Sequence, residues 1–102
     1  MDDIEIPRLS RKERVILRQL VAQGESYGLE LVNNSDGELK RGTVYVFLNR
    51  MEDRGLVQSK KEQALEPGVA GAPRRIYQVT GHGNRVLAAH QAAALKWAEG
   101  LT

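Results

Sequence analysis

The sequence predicts an α+β fold, mainly helical, in which three helices are followed by two strands and a long C-terminal helix. Three observations predict it. Apolar residues recur at helical spacing over three early stretches. Two stretches rich in β-branched and aromatic residues then flank a loop that contains Pro and Gly. An alanine-rich stretch with strong helix propensity ends the chain.

The composition fits one folded domain. The 102 residues suffice for a single modest core, and 41% hydrophobic with 27% charged residues is typical of globular proteins. The absence of cysteine excludes disulfides and thiolate zinc sites. The acidic N-terminus lacks the apolar run of a signal peptide, and no stretch approaches the about 20 apolar residues of a membrane span. We therefore expect a cytoplasmic protein.

The charge is unevenly distributed, although its total is only +2. Residues 1–39 carry a net charge of −3, residues 40–75 a net charge of +4, and residues 76–102 a net charge of +1. A positive block on an otherwise acidic chain is the pattern that a nucleic-acid-binding surface requires.

The first two helices are marked by their caps. Ser10 and Glu13 form a capping-box pattern, so we expect a first helix at about residues 11–23 that ends at Gly24. Ser26 is expected to cap a second helix at about residues 27–34. Gly28 within that helix costs about 1 kcal/mol relative to Ala, and close packing at this point would explain it.

The third helix, predicted at about residues 42–54, has two different faces. Its core face would consist of Val44, Phe47, Leu48 and Met51. The opposite face would present Gly42, Val46, Asn49 and Asp53 behind the cations Lys40 and Arg41. Taken alone, this is either an ordinary amphipathic helix or a helix that lies in a DNA major groove.

Strands are predicted at residues 56–61 and 74–80, with a loop between them whose tip carries no cation. The order helix, helix, helix, hairpin is that of a winged helix-turn-helix with a two-stranded wing. A generic α+β domain is the alternative.

From Thr80 the chain is predicted to be helical to about Glu99. One apolar side of this helix makes a seam of Leu87, His90, Ala94, Trp97 and Leu101, and Val86, Ala89 and Ala93 make a second side. Because one small domain covers only one side, we expect a homodimer in which residues 1–80 form the winged helix with its N-terminal arm and residues 81–102 the dimerisation helix. Alternatively, the helix wraps its own domain.

Three blocks of the sequence resemble the PadR family of winged-helix transcriptional regulators. They are YGLEL at 27–31, RGTVYVFLNRMEDRGLV at 41–57 and GAPRRIYQVTGHGNRVL at 71–87. The resemblance implies a dimeric DNA-binding repressor, often controlled by a small molecule. The sequence departs from the family at Lys40 and Arg41, which stand where Ser-Pro is common; this gives up a helix cap worth about 1 kcal/mol and adds two cations.

The predicted DNA-binding residues come from the third helix and the wing. For positioning on phosphates we expect the cations and one phenol; for reading bases we expect Thr43, Val46, Asn49 and Arg50. Arg75 has an alternative role as a partner of Glu52 or Asp53. The full set is Lys40, Arg41, Gly42, Thr43, Tyr45, Val46, Asn49, Arg50, Lys60, Lys61, Arg74 and Arg75.

Other functions have weaker support. Trp97, the only tryptophan, either anchors the dimer or lines a pocket for a small aromatic effector. His82 and His90 lack clustered acidic or thiol partners, so neither a metal nor another cofactor is expected. An enzyme is disfavoured because the sequence has no phosphate loop and no paired carboxylates in an apolar setting. The main rival is a winged helix that contacts proteins without binding DNA.

Overall fold

Four helices and three short strands make up the part of the chain that the structure, a computed structural model, describes: residues 8–62 and 74–99, with backbone alone for residues 97–99. In chain order they are α1 (Arg11–Gln23), β1 (Ser26–Tyr27), α2 (Gly28–Asn33), α3 (Val44–Asp53), β2 (Val57–Lys61), β3 (Arg75–Val79) and α4 (Gly81–Glu99). The predicted α+β class and the order of the predicted elements are confirmed, and β1 is an addition to them.

Helix α1 begins and ends as predicted. The Glu13 amide donates to Ser10 Oγ at 3.2 Å, and the Ser10 amide donates to Glu13 Oε1 at 2.8 Å, which completes the capping box. Gly24 ends the helix with φ +85°, a conformation that glycine adopts without strain. Glu13 also accepts a hydrogen bond from Arg54 Nη1 at 2.8 Å, which ties the start of α1 to the end of α3.

The expected cap of α2 is wrong. Ser26 does not cap the helix but lies in β1, where it pairs with Tyr77, while Tyr27 pairs with Ile76. The helix begins at Gly28, one residue later than predicted, and the Glu30 carboxylate accepts from the Tyr27 amide at 2.9 Å. Because β3 offers hydrogen bonds to this backbone, Ser26 takes an extended conformation and is buried instead of turning to cap the helix.

The wing strands pair in a continuous antiparallel register, from Val57 opposite Val79 to Lys61 opposite Arg75. The sheet order is β1-β3-β2, so the predicted two-stranded wing is the outer part of a three-stranded sheet. The predicted loop between the wing strands lies outside the described residues, except for Glu62.

One core joins all four helices to the sheet. Its fully buried side chains come from α1, α2, α3, the strands and the turn between α3 and β2, and each contributes about 1.5–3 kcal/mol if it is aliphatic. The core face predicted for α3 is confirmed for Val44, Leu48 and Met51, and Phe47 is half-buried beside them. The largest members are Ile16, Leu17, Leu20, Leu31, Val44, Leu48, Met51, Leu56, Val57 and Tyr77.

Helix α4 packs closely on the beginning of the wing. Thr80 caps this helix, since its Oγ1 accepts a hydrogen bond from the Gly83 amide at 2.9 Å. A Cβ atom added at Gly83 would lie 2.1 Å from the carbonyl oxygen of Leu56. Only glycine allows this approach, and it brings Val86 and Leu87 into the core. None of the described helices is long and apolar enough to cross a membrane.

Candidate nucleic-acid interface

A tight turn places Lys40 and Arg41 at the beginning of α3. The amides of Thr43 and Val44 both donate to the carbonyl oxygen of Lys40, at 3.2 and 2.9 Å, so the helix begins at Val44, two residues later than predicted. Thr43 occupies the cap position without a side-chain cap bond. Lys40, Arg41, Gly42 and Thr43 are all exposed. Exposed cations at the N-terminus of a helix make a positive region that suits a phosphate.

The predicted outward face of α3 is exposed to solvent. Tyr45 is 42% exposed and Val46 is 46% exposed, and Asn49 and Arg50 follow on the next turn. Hydroxyl, amide and guanidinium groups beside an apolar side chain match the donors, acceptors and methyl groups along the edges of base pairs. The chemistry predicted for this face is therefore available at the surface.

The structure brings part of this face together with the wing base around one groove. The groove has a volume of about 690 Å³ and lies between α2, α3 and the sheet. Of the predicted residues, Tyr45, Asn49, Arg74 and Arg75 border it. The complete lining is Tyr27, Leu29, Glu30, Asn33, Tyr45, Asn49, Arg74, Arg75 and Tyr77.

Arg75 is held in the groove wall by a serine. Its Nη1 donates to Ser59 Oγ at 2.9 Å, and Ser59 donates from its hydroxyl and its amide to the Glu52 carboxylate at 2.9 and 3.1 Å. The alternative in which Arg75 pairs directly with Glu52 or Asp53 is replaced by this relay, because Ser59 stands between the two charges. Ser59, 16 residues from Arg75, has no local signal in the sequence for this contact, whereas Glu52 was expected only as a direct partner of Arg75.

The strand register separates the two wing lysines. Residues that face each other in an antiparallel pair lie on the same side of the sheet. Lys61 faces Arg75 and therefore lies on the side of the Arg75 and Glu52 contacts, whereas Lys60 faces Ile76 and lies on the other side. Both are exposed. While the strand stays straight, Lys60 and Lys61 therefore cannot both contact the same surface of a ligand.

Two residues outside the predicted DNA-binding set contact members of that set. The Tyr27 ring centroid lies 4.4 Å from the Arg74 guanidinium carbon. Gly28 lies under the Tyr45 ring. This close packing explains why a glycine stands in α2 despite its poor helix propensity. The hydrogen bond that the Tyr27 hydroxyl donates to Glu62 raises the pKa of Tyr27 above its ordinary value.

Comparison with known proteins agrees with this geometry. A model of the transcriptional regulator PadR-like family matches residues 16–89. The chain belongs to the PadR-like family of transcriptional regulators. No curated protein gives a significant match.

Solved structures share the fold of this PadR-like regulator. A PadR family transcriptional regulator from Eggerthella lenta is 26% identical over 86% of this chain and 75% of its own, with a TM-score of 0.70. A PadR family transcription regulator from Clostridium difficile is 23% identical over 90% and 94%, with a TM-score of 0.71. A transcriptional regulator homologue from Pyrococcus horikoshii is 20% identical over 89% and 84%, with a TM-score of 0.72. At 23% and 20% identity, the last two matches show similarity of fold alone.

The predicted dimer seam of this PadR-like regulator divides into three parts. Leu87 is 5% exposed and belongs to the core of its own chain, so a partner would contact little of it. His90 is half-buried and Ala94 is exposed on α4, where the unpredicted Leu95 is 66% exposed. The side chain of Trp97 and the whole of Leu101 lie outside the described residues, and with them the predicted effector pocket.

Within the described ranges, no group of three or more His, Asp or Glu is placed to hold a metal.

Proposed function

We propose that this PadR-like regulator is a homodimeric repressor that binds an inverted-repeat operator through α3 and the base of the wing. One observation carries the proposal. Tyr45 and Asn49 on the exposed face of α3 border the same groove as Arg74 and Arg75 at the start of β3. A base-reading face and phosphate-binding cations on one surface are what duplex recognition requires.

The contacts divide into positioning and reading. Lys40 and Arg41 at the N-terminus of α3, with Lys61, Arg74 and Arg75 at the wing, would meet phosphates on both sides of a major groove. Lys60, on the side of the sheet opposite Lys61 and Arg75, would meet a different phosphate from those two residues. Among the reading residues, Asn49 suits adenine, Arg50 suits guanine, and Val46 and the Thr43 methyl suit a thymine methyl.

The dimer would form through α4. Leu95 and Ala94 stand exposed on this helix, and burying such a side chain removes apolar surface from water. A two-fold dimer would space its recognition helices by about 34 Å, one turn of the duplex. The operator would then be an inverted repeat. We further propose that an aromatic effector binds near Trp97 and releases the repressor. Quenching of Trp97 fluorescence by planar aromatic compounds would test the binding step.

Selection of bound sequences from a random duplex pool tests the main proposal. It is expected to return a two-fold symmetric site, and sedimentation of the free protein is expected to give twice the chain mass. Transcription in vitro from a promoter that contains the selected site should fall when the protein is added. A protein that shows no salt-dependent binding to any duplex would instead have to act by contacting proteins.

A further inference from the structure

Arg74 rests on a residue outside the predicted DNA-binding set. Its guanidinium carbon lies 4.4 Å from the centroid of the Tyr27 ring, within the range of a cation–π contact. Both side chains line the groove that Tyr45 and Asn49 border. A ring supplied by β1 therefore lies under a cation that stands beside the recognition helix.

Three further contacts fix the position of this ring. The Tyr27 hydroxyl donates a hydrogen bond to the Glu62 carboxylate, and the Glu62 amide donates to the carbonyl oxygen of Arg74 at 2.7 Å. Tyr27 also pairs with Ile76 in the sheet. The tyrosine is thus joined to both strands of the wing at the point where they leave the sheet, and Arg74 lies at this point.

We propose that Tyr27 is a positioning residue for DNA binding, whose ring holds the Arg74 guanidinium at the wing base for contact with a phosphate. The inference rests on the proposed function. An unrestrained arginine loses much rotamer freedom when it binds, and stacking on a fixed ring removes part of that loss beforehand. A cation–π contact at an exposed site corresponds to about two- to fivefold in an equilibrium constant.

The hydroxyl of Tyr27 makes a contact of its own. It donates a hydrogen bond to the carboxylate of Glu62, the first residue of the predicted wing loop. The ring and the hydroxyl can be separated by substitution. Y27F keeps the ring under Arg74 and removes only the bond to Glu62, so it is the matched control for Y27L, which removes the ring and keeps an apolar side chain.

A double-mutant cycle on the full chain tests the proposal. The dissociation constant for a random-sequence duplex is measured at several salt concentrations for the wild type, Y27L, R74A and Y27L/R74A. We expect Y27L to weaken binding about two- to fivefold and R74A to weaken it further, with a salt slope lower by about one. The double variant should bind like R74A, because the ring has no cation left to hold. Y27F should bind like the wild type.

Each other outcome overturns the inference. If Y27L binds like the wild type, if its loss adds to that of R74A, or if Y27F is as weak as Y27L, the ring does not position Arg74. Those results leave the proposed function intact, whereas a wild type without salt-dependent duplex binding removes both. Should Y27L fail to fold, proton NMR of the wild type decides: the Arg74 side-chain methylene protons must be shifted upfield by the ring, and unshifted protons contradict the proposal.

Discussion

A Cβ atom added at Gly28 would lie 2.7 Å from Cε1 and 2.8 Å from Cζ of the Tyr45 ring. Gly28, the first residue of α2, therefore packs against the Tyr45 ring of α3. Gly28 is buried, while Tyr45 is 42% exposed. Helix α2 thus fixes the direction in which one residue of the proposed DNA-binding face leaves its helix.

Replacing Gly28 with alanine should separate folding from binding. The new methyl group must displace the Tyr45 ring, which can swing towards solvent, and alanine favours the helix by up to about 1 kcal/mol. We expect G28A to keep a melting temperature close to that of the wild type and to lose about fivefold in duplex affinity, the worth of one phenol contact. In a Y45L background the same substitution should change affinity little. A G28A protein with full affinity would show that the ring position does not matter.

The glycines at the start of α4 should respond differently to alanine. At Gly83 a Cβ would lie 2.1 Å from a backbone oxygen of Leu56, whereas at Gly81 it would lie 3.3 Å from the mobile end of Arg85. We expect G83A to lower the free energy of unfolding by about 3 kcal/mol, since the helix must move off the strand. G81A is the matched control and should unfold like the wild type. Chemical denaturation of both variants measures the difference, and equal midpoints would contradict the packing argument.

Arg41 should contribute to affinity without contributing to sequence preference. It is exposed at the N-terminus of α3, where its charge can meet a phosphate. We expect R41A to weaken binding by a similar factor on the operator and on random duplex, and to lower the salt slope by about one unit. R18A removes an exposed cation from α1 and should leave the slope unchanged. An unchanged slope in R41A would remove this residue from the phosphate contacts.

Asn49 should contribute to preference instead. It is exposed on α3 and borders the groove. A bidentate amide contact to adenine discriminates against a wrong base by about 1–3 kcal/mol, so N49A should lose most of its affinity for the selected operator and little for random duplex. Repeating the sequence selection with N49A should relax one position of each half-site. Equal losses on both duplexes would exclude a reading role.

The buried phenol of Tyr77 should make the fold sensitive to alkali. Burial raises the pKa of Tyr77 above its ordinary value of 10.0. The unfolded chain then ionises this group at lower pH than the folded chain does, so stability is complete below about pH 10 and falls as pH rises through the raised pKa. Melting temperatures of the wild type and Y77F across this range measure the effect. A fall of the same steepness in Y77F would assign it to other groups.

The sequence by itself determined the elements whose signals are local. The capping box of Ser10 and Glu13 set the beginning of α1, and the apolar spacing in α3 set which side is buried, because neighbours on one helix face are three or four residues apart. The three family blocks, which lie between residues 27 and 87, indicated the winged-helix fold as a whole. The exposure of Val46 and Asn49 followed from that spacing alone.

Only the tertiary structure decided the contacts between residues distant in the chain. Two-residue β1 has no periodicity of its own and exists because β3 pairs with it. The Ser59 link between Glu52 and Arg75 and the stacking of Arg74 on Tyr27 depend on how strands and helices are brought together, which no local pattern encodes.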